Sequence, residues 1–162
     1  MIRFFRIMPL FLLIYFSMSE FNTEFDSFSF LSFNLQYILI YFWVLKRPQL
    51  IGYGFIFLAG IFNDVIQSNP IGLSALTYLL IASSATYIRH VTVRVSLITD
   101  WIAFFPTVII GNIFYYITIN FFHDLTISYL SLLMNSVVTI MIYPLFWLLF
   151  IFMWNLMRIK NV

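Results

Sequence analysis

Long apolar segments alternate with short polar or charged breaks along the whole chain. Six such segments occur, at about residues 4–18, 28–45, 50–67, 72–88, 95–120 and 127–157. A helix needs about 20 apolar residues to cross the ~30 Å hydrocarbon core of a bilayer. The pattern therefore predicts an all-α, polytopic membrane protein with about six transmembrane helices in a single integral membrane domain, residues 1–162. The last segment is too long for one upright span, so we expect tilt, a kink at Pro144 or extension into the cytoplasm.

The first segment begins like a secretory signal peptide, with Arg3 and Arg6 close to an apolar stretch. A signal peptide ends in a small-residue cleavage site. Here the apolar stretch is followed instead by residues 19–26, which are polar and acidic. We therefore interpret the first segment as a membrane span and the acidic stretch as the loop that follows it.

Composition and charge strengthen the membrane interpretation and add an orientation. The chain is 63% hydrophobic and 9% charged, whereas soluble domains carry about 25% charged residues. In a six-span topology all Lys and Arg residues fall on one side: Arg3, Arg6, Lys46, Arg47, Arg89, Arg94, Arg158 and Lys160. The opposite loops carry Glu20, Glu24, Asp26 and Asp124. Because positive charge marks cytoplasmic loops, both ends of the chain are predicted to be cytoplasmic.

Two carboxylates lie within or near the predicted spans. Asp64 is near the outer end of the third segment, and a carboxylate at membrane depth is a functional hypothesis by default. The alternative is an interface residue that caps the turn at residues 67–69. Asp100 follows Arg94 and is close to Arg89, so we expect an ion pair or a snorkelling contact at the cytoplasmic interface.

Buried amides are the other polar feature of the spans. Asn112 and Asn135 fall in the fifth and sixth segments. A buried amide in lipid needs a partner, which is typically on a neighbouring helix and is worth about 1 kcal/mol. We expect both to hold helices together, with ligand binding as the alternative if they line a cavity.

Catalytic and metal-binding patterns are not apparent in the sequence. His123, Asp124 and Ser128 are close in the chain, but a catalytic triad is defined by geometry rather than by proximity in sequence. The two histidines, His90 and His123, fall on opposite sides of the predicted membrane, and the chain has no cysteine. We therefore expect no enzymatic activity, no cofactor and no metal. The basic residues follow topology, so no nucleic-acid partner is expected.

Small residues mark the third and fourth segments as a packing pair. The third contains Gly52, Gly54, Ala59 and Gly60; the fourth contains Ser74, Ala75, Ala82, Ser83, Ser84, Ala85 and Thr86. Small residues let helix backbones approach closely in membranes. With the short connection at residues 68–70, the pattern predicts a tight antiparallel hairpin.

This same region resembles the MreD family of bacterial rod shape-determining membrane proteins. The residues that carry the resemblance are Gly54-Phe55, Gly60-Ile61-Phe62-Asn63-Asp64 and Pro70-Ile71-Gly72-Leu73-Ser74-Ala75-Leu76. Outside it, Asn34-Leu35, Arg47-Pro48, Asn135 and Pro144-Leu145 also fit the family pattern. The resemblance implies a fold like that of the substrate-binding membrane subunits of energy-coupling-factor transporters. The motif and packing residues carried over are Gly60, Asp64, Pro70, Gly72, Asn135 and Pro144.

The resemblance also implies a function. MreD proteins are non-enzymatic scaffolds of the cell-elongation complex in the bacterial cytoplasmic (inner) membrane, where they help to determine rod shape and lateral peptidoglycan synthesis. The implied partners are membrane lipid, a single-span MreC-like protein, and MreB and the cell-wall synthases, directly or indirectly. We expect the turn from Asp64 to Gly72 and the hairpin face to hold the fold and to present the partner surface.

Two other functions follow from the same residues. Asp64, Asn112 and Asn135 could converge on a ligand pocket, as in the membrane subunit of a vitamin or small-molecule uptake transporter. A small membrane enzyme is the third possibility, and the lack of an acid–base or metal constellation argues against it.

Overall fold

A computed structural model describes residues 12–15, 33–92, 96–122 and 129–159 of the chain. Within these ranges every regular element is a helix, and the predicted all-α class is confirmed. The six helices are α1 (residues 12–15), α2 (Leu35–Lys46), α3 (Tyr53–Ile66), α4 (Leu73–Val91), α5 (Leu97–Phe122) and α6 (Tyr129–Ile159).

Two helices are shorter than the apolar segments that predicted them. With 12 and 14 residues, α2 and α3 are about 18 and 21 Å long, less than the thickness of a hydrocarbon core. The second segment is predicted to begin at residue 28, and residues 28–32 lie outside the described residues. In the described part of this segment, the helix begins at Leu35. The third segment was predicted from Leu50, but Leu50 and Ile51 belong to the preceding turn. Ile51 is buried there, so an apolar residue at that position does not indicate helix.

In the part of the chain that the structure describes, α5 and α6 are the helices long and apolar enough to cross a membrane. The qualifying stretches are Leu97–Phe121 and Leu132–Phe152. Of the most apolar 18 residues in each stretch, only 33% in α5 and 28% in α6 are buried inside the protein. Most of their large apolar side chains therefore point outwards, unlike those of a core helix in a soluble protein.

Helix α2 is buried, and α4 and α6 pack against it. Helix α4 packs against α2, α3 and α5, and α6 packs against α5 and α2. Ten of the 12 residues of α2 are buried, which explains why this helix is apolar on every side. Its Tyr41 ring lies 4.8 Å from the Phe104 ring of α5 and 5.7 Å from the Tyr143 ring of α6, measured between centroids. These aromatic contacts join three helices in the middle of the core.

Candidate functional site

The predicted α3–α4 hairpin is present, and Asp64 connects its two helices. The Asp64 Oδ2 atom accepts a hydrogen bond of 2.8 Å from the Gly72 backbone N–H, and Oδ1 accepts one of 2.9 Å from the Ser74 N–H. The side chain is fully buried. These N–H groups lie at the start of α4, where a helix has unpaired donors and a positive dipole end. The N-cap residue of α4 is Gly72, and the Asp64 carboxylate, from the end of α3, satisfies N–H donors at this helix start.

This geometry corrects the expected role of Asp64 at the interface. Its carboxylate does not bind the turn at residues 67–69, because both oxygens reach across to the start of α4. Only its backbone carbonyl contacts that turn, accepting a 2.9 Å hydrogen bond from Asn69 N–H. The buried carboxylate therefore joins the end of α3 to the start of α4.

Gly72 and Pro70 shape the chain between the two helices. Gly72 has a φ of +100°, in the region that L-residues with a side chain adopt only at a cost of about 1–2 kcal/mol. The Pro70 carbonyl accepts a 3.1 Å hydrogen bond from the N–H of Leu73, the first residue of α4. The left-handed residue thus turns the chain into α4 and aims the N–H groups at Asp64.

Gly60 marks the closest approach of α3 to α4. A Cβ atom at this position would lie 2.2 Å from Ala75 Cα and 2.5 Å from Ala75 N. These are backbone atoms, so no side-chain movement could relieve the clash. On the same face, Asn63 Nδ2 donates to Ser74 Oγ at 3.0 Å, and the Tyr53 and Thr86 hydroxyls lie 2.6 Å apart. Gly60, Asp64, Pro70 and Gly72 therefore belong to one hairpin.

Asn135 lies elsewhere, in an amide cluster formed with Asn34 and Asn112. Asn34 Nδ2 donates to Asn112 Oδ1 at 3.1 Å and to Asn135 Oδ1 at 2.9 Å. Asn112 Nδ2 in turn donates to Ser136 Oγ at 2.7 Å. Asn112 thus has a partner on the neighbouring helix α6, whereas the Asn34 partner of Asn135 lies just before the first residue of α2.

The amide cluster also explains where α2 begins. The backbone N–H of Asn34 donates to Thr139 Oγ1 on α6 at 3.0 Å. Asn34 has φ −88° and ψ 81°, outside the helical region. Its side chain and its backbone are both held by α5 and α6, so the helix starts at the next residue.

Asp100 forms an ionic cluster with Lys46 and Trp147. Lys46 Nζ lies 2.8 Å from Asp100 Oδ2, and Trp147 Nε1 donates to the same oxygen at 3.1 Å. Lys46 Nζ also lies 5.5 Å from the centroid of the Trp147 ring. Asp100 is 1% exposed and the Lys46 side chain 24%, so the carboxylate is screened from water and its cation only partly. The expected ion pair exists, but its cation comes from the end of α2.

Pro144 lies in the interior of α6, which continues through it without a break. Proline has no N–H, so the carbonyl of Ile140, four residues earlier, has no helical partner. Trp101 Nε1 of α5 donates to this carbonyl at 2.9 Å. Beside this bond lies an apolar groove of about 390 Å³, lined by Trp101, Ile102, Phe105, Val137, Ile140 and Met141.

Lys46, Trp101 and Trp147 carry contacts that the sequence did not reveal. Pro144 predicts a free carbonyl at Ile140, but sequence gives no indication of which donor reaches it. The sequence identifies Lys46 only as one of the basic residues that mark the cytoplasmic side, because its partner depends on how α2 meets α5.

Metal ligands and buried carboxylates are two kinds of group that could carry reactive chemistry in the described ranges. No group of three or more His, Asp or Glu side chains there could hold a metal ion. The expected His123, Asp124 and Ser128 positions lie outside the described residues. The two buried carboxylates are engaged, Asp64 with backbone N–H groups and Asp100 with Lys46 and Trp147.

No family model, curated protein or solved structure matches this chain.

Proposed function

We propose that the protein is a multi-pass scaffold of the bacterial cytoplasmic (inner) membrane, with both ends of the chain in the cytoplasm. The outward-facing apolar side chains of α5 and α6 support a lipid environment. Ile102, Ile117 and Met141 are each more than 60% exposed, and burying such a side chain is worth about 1.5–3 kcal/mol. A bilayer would supply that burial for the whole outer surface.

The proposed orientation is supported by where the basic residues fall in the bundle. Lys46 and Arg47 end α2, and Arg89 lies in the last turn of α4. Lys46 contacts Asp100 in the first turn of α5. These residues therefore gather at one end of the bundle, as the positive-inside rule requires of a cytoplasmic face.

Within that membrane, the proposed role is non-enzymatic. The protein would act in the cell-elongation complex, helping to determine rod shape and lateral peptidoglycan synthesis by binding a single-span MreC-like protein. MreB and the cell-wall synthases would be direct or indirect partners. One observation carries this proposal. The residues Gly60, Asp64, Pro70 and Gly72, which carry the resemblance to MreD proteins, lie in one hairpin, where Gly60 meets the Ala75 backbone and the Asp64 carboxylate binds the Gly72 N–H.

The outer face of α3 is the proposed partner surface. Its inner face, with Ile56, Ala59, Gly60, Asn63 and Asp64, is buried. The opposite face carries an outer stripe of four exposed apolar residues: Phe55, Leu58, Phe62 and Val65. Spacings of three and four residues place these side chains in the seam that one helix offers to another. A single transmembrane helix is the partner that fits such a stripe.

Affinity purification tests the proposed function. The tagged full-length protein is extracted from native membranes in mild detergent, and the proteins that co-purify with it are identified. Recovery of a single-span MreC-like protein together with wall-synthesis enzymes is the expected result. Recovery of ATPase subunits with a transmembrane coupling protein would overturn the scaffold proposal and favour an uptake-transporter subunit.

A further inference from the structure

Two adjacent residues of α5 contact α6 on either side of Pro144. Trp101 Nε1 donates to the carbonyl of Ile140, four residues before the proline, at 2.9 Å. Asp100 Oδ2 accepts from Trp147 Nε1, three residues after it, at 3.1 Å. The proline is thus bracketed by two hydrogen bonds that both lead to the same turn of α5.

The hydrogen-bond ladder of α6 is weakest at this point. A proline inside a helix removes one backbone bond and is about 3 kcal/mol less favourable than alanine. Sharp bends in helices occur at such positions. An unpaired carbonyl in apolar surroundings is also costly, and a neighbouring helix often supplies the missing donor in membranes. Here the Trp101 indole is that donor.

The second contact ties α6 to the rest of the bundle. Asp100 is paired with Lys46 of α2 at 2.8 Å, and its backbone carbonyl accepts a 3.2 Å hydrogen bond from the Tyr41 hydroxyl. Trp147 is therefore held by a residue that α2 fixes in place. The part of α6 beyond Pro144 also packs on α2, because Phe150 is buried and its ring lies 5.0 Å from the Phe42 ring. Releasing Trp147 would therefore remove the polar contact of this part with α5 and leave its apolar contact with α2.

We propose that Pro144 is a hinge in α6, locked by Trp101 and Asp100. Residues 145–159 form an arm about 22 Å long, and its direction changes when either lock opens. Trp101 is 38% exposed and lines the apolar groove, so the first lock lies at the outer surface. This device is independent of the scaffold role, because it concerns α5 and α6 rather than the α3 stripe.

Distance measurements between spin labels test the hinge directly. The chain contains no cysteine, so two introduced cysteines label cleanly. Tyr87→Cys on α4 with Phe152→Cys on the arm reports arm direction, and Ile113→Cys with Leu133→Cys serves as the control before the hinge. All four side chains are exposed. The labelled full-length protein is measured in lipid nanodiscs by pulsed electron paramagnetic resonance.

Trp101→Phe should shift or broaden the arm distance by about 2 Å or more, with the control distance unchanged. Adding Pro144→Ala should restore the original distribution, because alanine returns an N–H to the Ile140 carbonyl. An unchanged arm distance in Trp101→Phe would overturn the hinge. The hinge would also be overturned if the double variant had a distance distribution as broad as that of Trp101→Phe. The effect of Trp101→Phe would then not depend on the Ile140 carbonyl.

If Trp101→Phe does not yield folded protein, Trp147→Phe opens the second lock and is measured with the same labels. A shifted or broadened arm distance supports the hinge, and an unchanged one overturns it.

Discussion

The α3–α4 hairpin and the α5–α6 pair are held together by different kinds of contact. In the hairpin, backbone atoms meet: Gly60 lies against the Ala75 backbone, and Asp64 binds the N–H groups of Gly72 and Ser74. Between α5 and α6, side chains supply the polar contacts, through the amide cluster, the ionic cluster and the hydrogen bond from Trp101 to the Ile140 carbonyl. Backbone contacts leave little room for change, whereas side-chain contacts can be exchanged or opened. We therefore expect the hairpin to be the more rigid part and α6 the part that moves.

The largest effect is expected from enlarging Gly60. Gly60→Leu places a side chain where even a Cβ atom would lie 2.2 Å from Ala75 Cα. The loss should exceed the roughly 1–3 kcal/mol typical of overpacking, because backbone cannot repack around it. This loss of stability is measured by heating the protein in detergent and monitoring how much of it remains monodisperse. Association with the MreC-like partner should be lost as well.

Gly54→Leu is the matched control on the same helix. A Cβ atom at Gly54 would meet nothing within 4 Å, so this variant should unfold like the natural protein. If Gly60→Leu were as stable as Gly54→Leu, the close backbone contact could not be what holds the hairpin.

A smaller effect is expected from removing the cation of the ionic cluster. Lys46→Met keeps most of the side-chain length but leaves Asp100 buried without its partner. Breaking a buried pair in this way costs about 3–5 kcal/mol, and the partial exposure of Lys46 puts the expected value at the lower end. Arg89→Met, at an exposed basic position, should change the unfolding temperature little. Equal effects of the two substitutions would contradict a specific role for Lys46.

The smallest effect concerns the amide cluster. Asn135→Ala should cost about 1 kcal/mol, as is usual for hydrogen bonds between membrane helices. In a double-mutant cycle with Asn34→Ala, the two losses should not add, because Asn34 Nδ2 donates to Asn135 Oδ1. Additive losses would show that the two side chains act independently.

The sequence predicted the hairpin well because its determinants are local. Gly60, Asp64 and Gly72 lie within 13 residues of one another, so spacing alone brings them together around one turn. Helix limits were harder. The predicted apolar segment begins several residues before α2. The first residue of α2 is set by contacts from α5 and α6, which hold Asn34 outside the helix.

Long-range partners could not be predicted from the sequence. The ion pair of Asp100 was expected with Arg89 or Arg94, which are close in the chain. Its partner is Lys46, 54 positions away, and Arg94 lies outside the described residues. Similarly, Pro144 predicts a missing backbone hydrogen bond in α6, but only the packing of α5 against α6 brings Trp101 to the Ile140 carbonyl.

Matched surface variants distinguish partner binding by the hairpin from partner binding by the α5–α6 pair. Leu58→Trp adds bulk to the outer stripe of α3, and Ile117→Trp adds the same bulk to the outer face of α5. Both positions are exposed, at 49% and 62%, and both variants stay apolar. Recovery of the MreC-like protein with each tagged variant is compared with that of the natural chain. Leu58→Trp should lower recovery about tenfold, which corresponds to about 1.4 kcal/mol of binding free energy, and Ile117→Trp should leave it unchanged. Full recovery with Leu58→Trp would rule out the outer stripe of α3 as the partner surface.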